Sequence, residues 1–103
     1  MHEIVIHGGD YEHVRGMAGD VGGVRLAYHA TTVRQVFVDM LATRCYEACE
    51  FSAANYLILR GTGHDWLSAL PIFPYRAFRH SLLVVRADSA LTDPGQLAGK
   101  RIG

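Results

Sequence analysis

The sequence has little cysteine and no net charge, and each shortage excludes a class of protein. Its two cysteines, Cys45 and Cys49, are too few for a disulfide-stapled fold. No histidine stands beside them at metal-site spacing, so we expect reduced thiols and no zinc. Ten basic residues balance ten acidic ones. The chain therefore has no positive excess with which to hold a nucleic acid.

Long apolar runs are missing as well. The sequence begins "MHEIVIHGGDYEH", without the basic start, apolar core and small-residue cleavage site of a signal peptide. No apolar run approaches the roughly 20 residues that a membrane-spanning helix needs. From these absences we expect a cytoplasmic protein with no membrane partner.

Lysine is nearly absent. Lys100 is the single lysine, so nine of the ten basic residues are arginine. The planar guanidinium group of arginine binds a carboxylate through two parallel hydrogen bonds, which lysine cannot do.

The clearest pattern predicts a helix over Thr32–Thr43. Thr32 and Gln35 fit a capping box at its start. Ser52 stands at the N-cap position of a second helix, which should end near Gly61. Apolar residues recur on one face of the first helix at Val33, Val36, Phe37, Met40 and Leu41.

Short apolar and β-branched segments predict strands around these helices. "AGDVGG" reads as a turn cluster, and "LTDPGQLAG" as a turn into a short helix capped by Thr92 or Asp93. The alternation of elements predicts an α/β fold with a mostly parallel sheet flanked by helices. The predicted strands are Glu3–His7, Val24–Ala30, part of Tyr46–Ser52, Trp66–Phe73 and His80–Ala87, with Lys100–Gly103 opening another.

Four segments resemble the 4,5-dihydroxyphthalate decarboxylase family in order and spacing. They are "GDYEHVRG", "EFSAANYLILRG", "ALPIFPYRAFRHSLLVVRADS" and "DPGQLAGKRIG". The resemblance implies a type II periplasmic-binding-protein-like fold with a ligand cleft between two lobes. Residues 1–87 would form most of the first lobe, including a hinge strand, and residues 88–103 would open an incomplete second lobe. We therefore expect the chain to be a truncated, N-terminal piece of a longer protein.

Three groups of polar residues are candidates for the cleft. The first, Asp10, Tyr11 and Arg15, follows the first strand, where ligands bind in open α/β sheets; the alternative is an ordinary turn. The second lies at the start of the second helix, whose free amides suit a carboxylate; the alternative is that Ser52 only caps and Tyr56 packs. The second group comprises Glu50, Ser52, Asn55 and Tyr56.

The third group comprises Arg76, Arg79 and His80 in "FPYRAFRHS". The alternative is a solvated loop. We favour a site, because Tyr75 and Phe78 are interleaved with the cations and the family motif covers them. Arginines would bind the carboxylates of a flat aromatic dianion, and aromatic side chains would face its ring.

The resemblance implies a carboxy-lyase that turns 4,5-dihydroxyphthalate into a protocatechuate-type product. We expect Arg76 and Arg79 to bind the carboxylates, and His80, Asp10 or Glu50 to donate the proton. No cofactor is expected, and His7, His13 and Asp10 fit no established metal-ligand spacing. The whole protein could form a homo-oligomer, and this chain alone should be inactive.

A binding module is the rival hypothesis. The same fold and arginines would serve an importer's substrate-binding protein or a ligand-sensing domain without catalysis. An importer's receptor should carry an export signal or a lipid-anchor cysteine. A third reading is an inert truncated gene product.

Overall fold

The computed structural model describes residues 1–79 and 82–102, and its regular elements lie mainly in the first 61 residues. Four strands form one sheet in the order β2-β3-β1-β4. The strands are β1 (His2–Gly8), β2 (Gly19–Val21), β3 (Val24–Ala30) and β4 (Ala48–Cys49). The helices are α1 (Val33–Thr43) and α2 (Ala53–Gly61), with short 3-10 helices at Glu12–Met17 and Pro94–Leu97.

The sheet is mixed, and its longest pairing is parallel. β1 runs parallel to β3 from His2 opposite Val24 to Gly8 opposite Ala30. β1 also runs parallel to the two-residue strand β4, with His7 opposite Cys49. The predicted α/β class is therefore confirmed.

The "AGDVGG" turn prediction was incomplete, because part of this segment forms the antiparallel strand β2. Gly22 and Gly23 have φ of 57° and 84°, which only glycine adopts readily. Two adjacent residues with positive φ suit a tight hairpin between twisted strands. Across the hairpin, Arg25 Nε donates to Asp20 Oδ1 at 3.0 Å.

The α1 prediction is confirmed, but its capping box is wrong. Val36 and Met40 are 0% and 5% exposed and form the core against the sheet together with Val14. Thr32 makes no side-chain cap, and Gln35 does not reach back to it but donates its side-chain amide to Asp39 Oδ1 at 2.7 Å. Phe37, next to Val36, packs edge-on against Phe51.

The end of α1 is unusual. Arg44 terminates the helix with φ of 54°, in the left-handed region, and its N–H donates to the Met40 carbonyl. Its guanidinium lies 4.6 Å from the ring centre of Trp66. Trp66 was expected to open a strand, but it is half-buried and lies in an irregular segment.

Two predicted caps are confirmed. Ser52 Oγ accepts a hydrogen bond from the Asn55 N–H at 3.3 Å and so caps α2. Asp93, the second of two alternatives, caps the 3-10 helix Pro94–Leu97 in a capping box with Gln96.

The strands predicted in the second half are wrong over the described residues. No α-helix or β-strand occurs among residues 64–79 and 82–102. Leu82 and Val84 in the expected central strand are 64% and 84% exposed. A strand needs a neighbour to satisfy its backbone, and these segments pair with neither edge of the sheet. His80, Ser81 and Gly103 lie outside the described residues.

Both α-helices are short, with 11 and 9 residues. Within residues 1–79 and 82–102, no helix is long and apolar enough to cross a lipid bilayer.

Candidate functional site

The candidate site lies at the carboxyl edge of the parallel strands. β1, β3 and β4 all end at this edge, and α1 and α2 begin there. The chain leaves β1 through Gly8 and Gly9, and the Gly8 carbonyl accepts from the Thr31 N–H at 2.7 Å. Glu50 leaves β4 at the same edge, so residues from distant parts of the sequence meet here.

Glu50 is the buried charged residue of this site, at 8% exposure. Its N–H donates to the His7 carbonyl at 2.8 Å and extends the β1–β4 pairing by one residue. Its Oε2 accepts from the Gly9 N–H at 3.0 Å. Its Oε1 accepts from the Tyr11 hydroxyl at 2.9 Å. Both carboxylate oxygens are thus held by donors.

Positions 8 and 9 require glycine, because the site leaves no room for a side chain at either of them. A Cβ at Gly8 would lie 2.5 Å from the Tyr28 hydroxyl and 3.2 Å from Glu50 Oε2. The Tyr28 hydroxyl donates to the Gly9 carbonyl at 2.8 Å. The loop after β1 is therefore fixed from two sides, by Glu50 and by Tyr28.

Both tyrosines of the site remain protonated donors. Burial, together with the hydrogen bond to Glu50, raises the pKa of Tyr11 well above its usual value of 10. Burial and the nearby Glu50 carboxylate also raise the pKa of Tyr28. Removing either proton would place a phenolate next to a carboxylate.

The Tyr11 ring connects this site to the arginine-rich segment. It stacks on His13, with ring centres 5.6 Å apart and planes 6° apart. It also meets Tyr75, 5.8 Å away, and His13 Nε2 contacts the Pro74 carbonyl. Beyond Tyr75, the Arg79 guanidinium lies 4.7 Å from the Tyr75 ring centre. The first and third predicted groups are therefore neighbours.

An open groove of about 440 Å³ lies beside this contact. Apolar walls come from Val14 and Met17 on one side and from Ile72 and Phe73 on the other. His13 and Arg76 also line it, and Arg76 Nε donates to the Phe73 carbonyl at 3.3 Å. The groove combines apolar surface with a permanent cation.

The other predicted residues that the structure describes have partners within their own segments. Arg15 and Asp10 form an exposed ion pair at 3.2 Å. Ser52 is engaged as the cap of α2, where Asn55 and Tyr56 are half-buried in the first turn. His80 lies outside the described residues, so its role stays a prediction.

The sequence did not predict that the Tyr28 hydroxyl donates to the Gly9 carbonyl, or that the Gly9 N–H donates to Glu50. Tyr28 stands near the carboxyl end of the predicted second strand, and that position was the available signal. His7, His13 and Asp10 were considered as ligands of a metal ion, although their spacing fits no established pattern. Over residues 1–79 and 82–102, no three metal-ligating side chains form a group that could hold an ion. Cys45 and Cys49 are free thiols, as predicted.

Comparison with known proteins now adds to this geometry. Over 98 residues, the chain is 38% identical to a 4,5-dihydroxyphthalate decarboxylase of Comamonas testosteroni. Over 98 residues it is also 30% identical to a 4,5-dihydroxyphthalate decarboxylase of Pseudomonas putida. The chain resembles 4,5-dihydroxyphthalate decarboxylases. The resemblance inferred from the sequence motifs is thus confirmed.

The similarity covers 92% of this chain but only 30% and 38% of the two relatives. The chain thus spans about a third of the length of the curated proteins it matches. No family model matches the chain, and no solved structure matches it.

Proposed function

We propose that this chain acts in the decarboxylation of 4,5-dihydroxyphthalate, or of a closely similar dihydroxylated aromatic dicarboxylate. The observation that carries the proposal is the similarity to two decarboxylases of that name across 92% of the chain. The site at the carboxyl edge of the sheet supports it, since this is where open α/β folds bind ligands.

The chemistry around the groove suits a flat dianion. The Arg76 guanidinium lines it beside the aromatic ring of Phe73. Arg79 lies nearby on the face of Tyr75. Arginine can bind each carboxylate of the substrate bidentately, and aromatic side chains can contact its ring. We assign Arg76 and Arg79 to carboxylate binding.

The substrate itself can supply the electrons for the reaction. Each carboxylate of 4,5-dihydroxyphthalate has a hydroxyl group para to it. That oxygen donates electron density as the ring carbon bearing the carboxylate accepts a proton. The bond from this carbon to the carboxylate then breaks, carbon dioxide leaves, and the ring regains its aromaticity as 3,4-dihydroxybenzoate.

The protein must supply the proton and bind the developing oxyanion. Asp10 is exposed and already paired with Arg15. Both oxygens of Glu50 accept hydrogen bonds from other groups. His80 has a side chain that titrates near neutral pH, and we assign the proton donor to it.

The proposed architecture is the first lobe of a type II periplasmic-binding-protein-like fold. Residues 1–87 would form most of that lobe and residues 88–103 would open the second. The parallel strands β3, β1 and β4, with helices starting at their carboxyl edge, support this assignment. A cytoplasmic location and a homo-oligomer of the whole protein remain predictions.

A chimera tests the function directly. This chain would replace the matching 98 residues of the Comamonas testosteroni decarboxylase. We expect the chimera to release carbon dioxide from 4,5-dihydroxyphthalate and to form 3,4-dihydroxybenzoate, measured by chromatography. Arg79→Ala and Arg76→Ala in the chimera should each weaken substrate binding by at least tenfold, which is about 1.4 kcal/mol.

Two outcomes would contradict the proposal. A folded chimera that neither binds nor converts 4,5-dihydroxyphthalate would show that the chain serves another ligand. Binding without carbon dioxide release would favour the rival hypothesis of a binding or sensing module. Arg34→Ala, on the exposed side of α1, is the matched control and should leave both activities unchanged.

A further inference from the structure

Glu50 accepts a hydrogen bond at each of its two carboxylate oxygens. Its two oxygens face the Gly9 N–H and the Tyr11 hydroxyl, and both groups donate. An ionised carboxylate can only accept hydrogen bonds, and both contacts use Glu50 in that role. Among residues 1–79 and 82–102, no lysine, arginine or histidine forms an ion pair with it. The Glu50 carboxylate is thus built as an acceptor.

The contacts of Tyr11 show what this acceptor holds in place. The Tyr11 hydroxyl is fixed by Glu50, while its ring lies against His13 on one side and Tyr75 on another. Tyr75 in turn carries the Arg79 guanidinium on its ring face. A continuous series of contacts therefore joins the buried carboxylate to an exposed arginine.

A tyrosine ring without a fixed hydroxyl can rotate about two side-chain bonds, and the hydrogen bond to Glu50 restricts that freedom. A Tyr11 ring with one orientation offers Tyr75 a fixed contact surface, and Arg79 lies on the ring of Tyr75. The Gly9 N–H bond to the same carboxylate fixes the backbone from which Tyr11 projects. Both bonds to Glu50 thus act on one feature, the orientation of the Tyr11 ring.

We propose that Glu50 is a positioning residue that acts through Tyr11 and Tyr75 to place Arg79 for binding a carboxylate of the ligand. The inference rests on the proposed function for the identity of that ligand. It replaces the expectation that Glu50 donates the proton.

The test measures binding of 4,5-dihydroxyphthalate to the 103-residue chain by calorimetry at several pH values. The variants are Tyr11→Phe, Glu50→Gln and the double variant, with and without Arg79→Ala. Tyr46→Phe is the matched control, because it also removes one hydroxyl that donates to a carboxylate, that of Asp39 on α1.

Tyr11→Phe and Glu50→Gln should each weaken binding by about five- to tenfold, which corresponds to about 1–1.4 kcal/mol. The double variant should bind no worse than the single variant with the lower affinity, because both substitutions remove the same interaction, the hydrogen bond between Tyr11 and Glu50. Arg79→Ala should cost less affinity in the Tyr11→Phe background than in the wild type. The pH dependence of binding should keep its shape, and Tyr46→Phe should bind normally.

Three results would overturn the proposal. One is unchanged affinity in Tyr11→Phe. Another is full additivity of Glu50→Gln and Tyr11→Phe. The third is binding whose pH dependence changes shape in Glu50→Gln, which would make Glu50 a titrating contact of the ligand.

A second readout separates this proposal from the proposed function. If neither the wild-type chain nor the chimera binds 4,5-dihydroxyphthalate, the proposed function fails for this chain, and the positioning claim is then tested by NMR. Cross-relaxation between the rings of Tyr11 and Tyr75 should be present in the wild type and weakened in Glu50→Gln. Unchanged cross-relaxation in Glu50→Gln would overturn the positioning role, whatever the ligand.

Discussion

Two regions of this chain have similar shares of apolar residues but opposite structures. Residues 2–61 form the sheet and both helices, and they contain the buried residues Val14, Val36 and Met40. Residues 64–79 and 82–102 have no α-helix or strand, and Leu70, Phe73 and Leu82–Val85 are all more than half exposed. Apolar composition therefore does not form a strand unless a partner with matching register is available.

Met40→Ala should give the largest loss of stability. Met40 is 5% exposed on the buried face of α1. Truncating its side chain leaves a cavity and should cost about 2–5 kcal/mol of unfolding free energy. Urea unfolding followed by circular dichroism would measure this loss. Val38→Ala, on the same helix but 52% exposed, is the control and should change stability by less than about 0.5 kcal/mol. Equal effects would mean that the helix face is assigned wrongly.

Ser52→Ala should have a smaller effect. It removes the side-chain acceptor of the Asn55 N–H at the start of α2, which should cost about 1 kcal/mol. Ser68→Ala makes the same chemical change in the irregular region, at an exposed position, and should be close to neutral. If Ser68→Ala cost as much as Ser52→Ala, the second region would contain structure that depends on that hydroxyl group.

Alkaline pH should weaken the ordered region through Cys49. Burial raises the pKa of this thiol from its usual value of 9 to about 11. The folded chain holds the thiol proton more tightly than the unfolded chain, so this contribution is fully present below pH 9. It is lost as the pH rises from 9 towards 11.

Urea unfolding of the wild type and of Cys49→Ala at pH 8, 9, 10 and 11 would isolate this effect. The wild type should lose stability more steeply than Cys49→Ala between pH 9 and 11. The tyrosines with raised pKa values remain in both proteins, so they do not affect the difference. Parallel pH curves would mean that Cys49 is as accessible in the folded chain as in the unfolded one.

Leu83→Ala should have the smallest effect. Leu83 is 63% exposed, and deleting an exposed apolar side chain should change the unfolding free energy by less than about 0.5 kcal/mol. Hydrogen exchange should also show the amides of residues 83–86 exchanging much faster than those of β1 and β3. A loss above 1 kcal/mol, or slow exchange in this segment, would remove the contrast between the two regions.

The parts of the fold that the sequence predicts are those specified by neighbouring residues. Apolar spacing identifies α1, alternation identifies β3, and the side chains of Ser52 and Asp93 form the caps expected of them. The strand expected over His80–Ala87 depended on pairing with a distant segment. Nothing in its local pattern could show whether that pairing exists.

In the candidate site, too, the sequence predicts single residues but not the contacts between distant segments. The sequence reading named Tyr11 and Glu50, but placed them in separate groups, because 39 positions separate them. Their contact depends on β1 and β4 lying side by side in parallel, which no motif encodes. Tyr28 was missed for a similar reason, since its partner, the Gly9 carbonyl, is on the neighbouring strand's loop.

Arg44 ends α1 in the first region and contacts Trp66 in the second. This double role limits which substitutions at Arg44 could raise the stability of the protein. Glycine is the residue that a left-handed helix terminus usually prefers, and Arg44→Gly would relieve a backbone strain of about 1 kcal/mol. The same substitution would remove the guanidinium from the face of Trp66. A substitution that stabilises the first region would thus remove a contact that holds Trp66 in the second region. Selection for a more stable helix and selection for a better-held Trp66 therefore act against each other at one position.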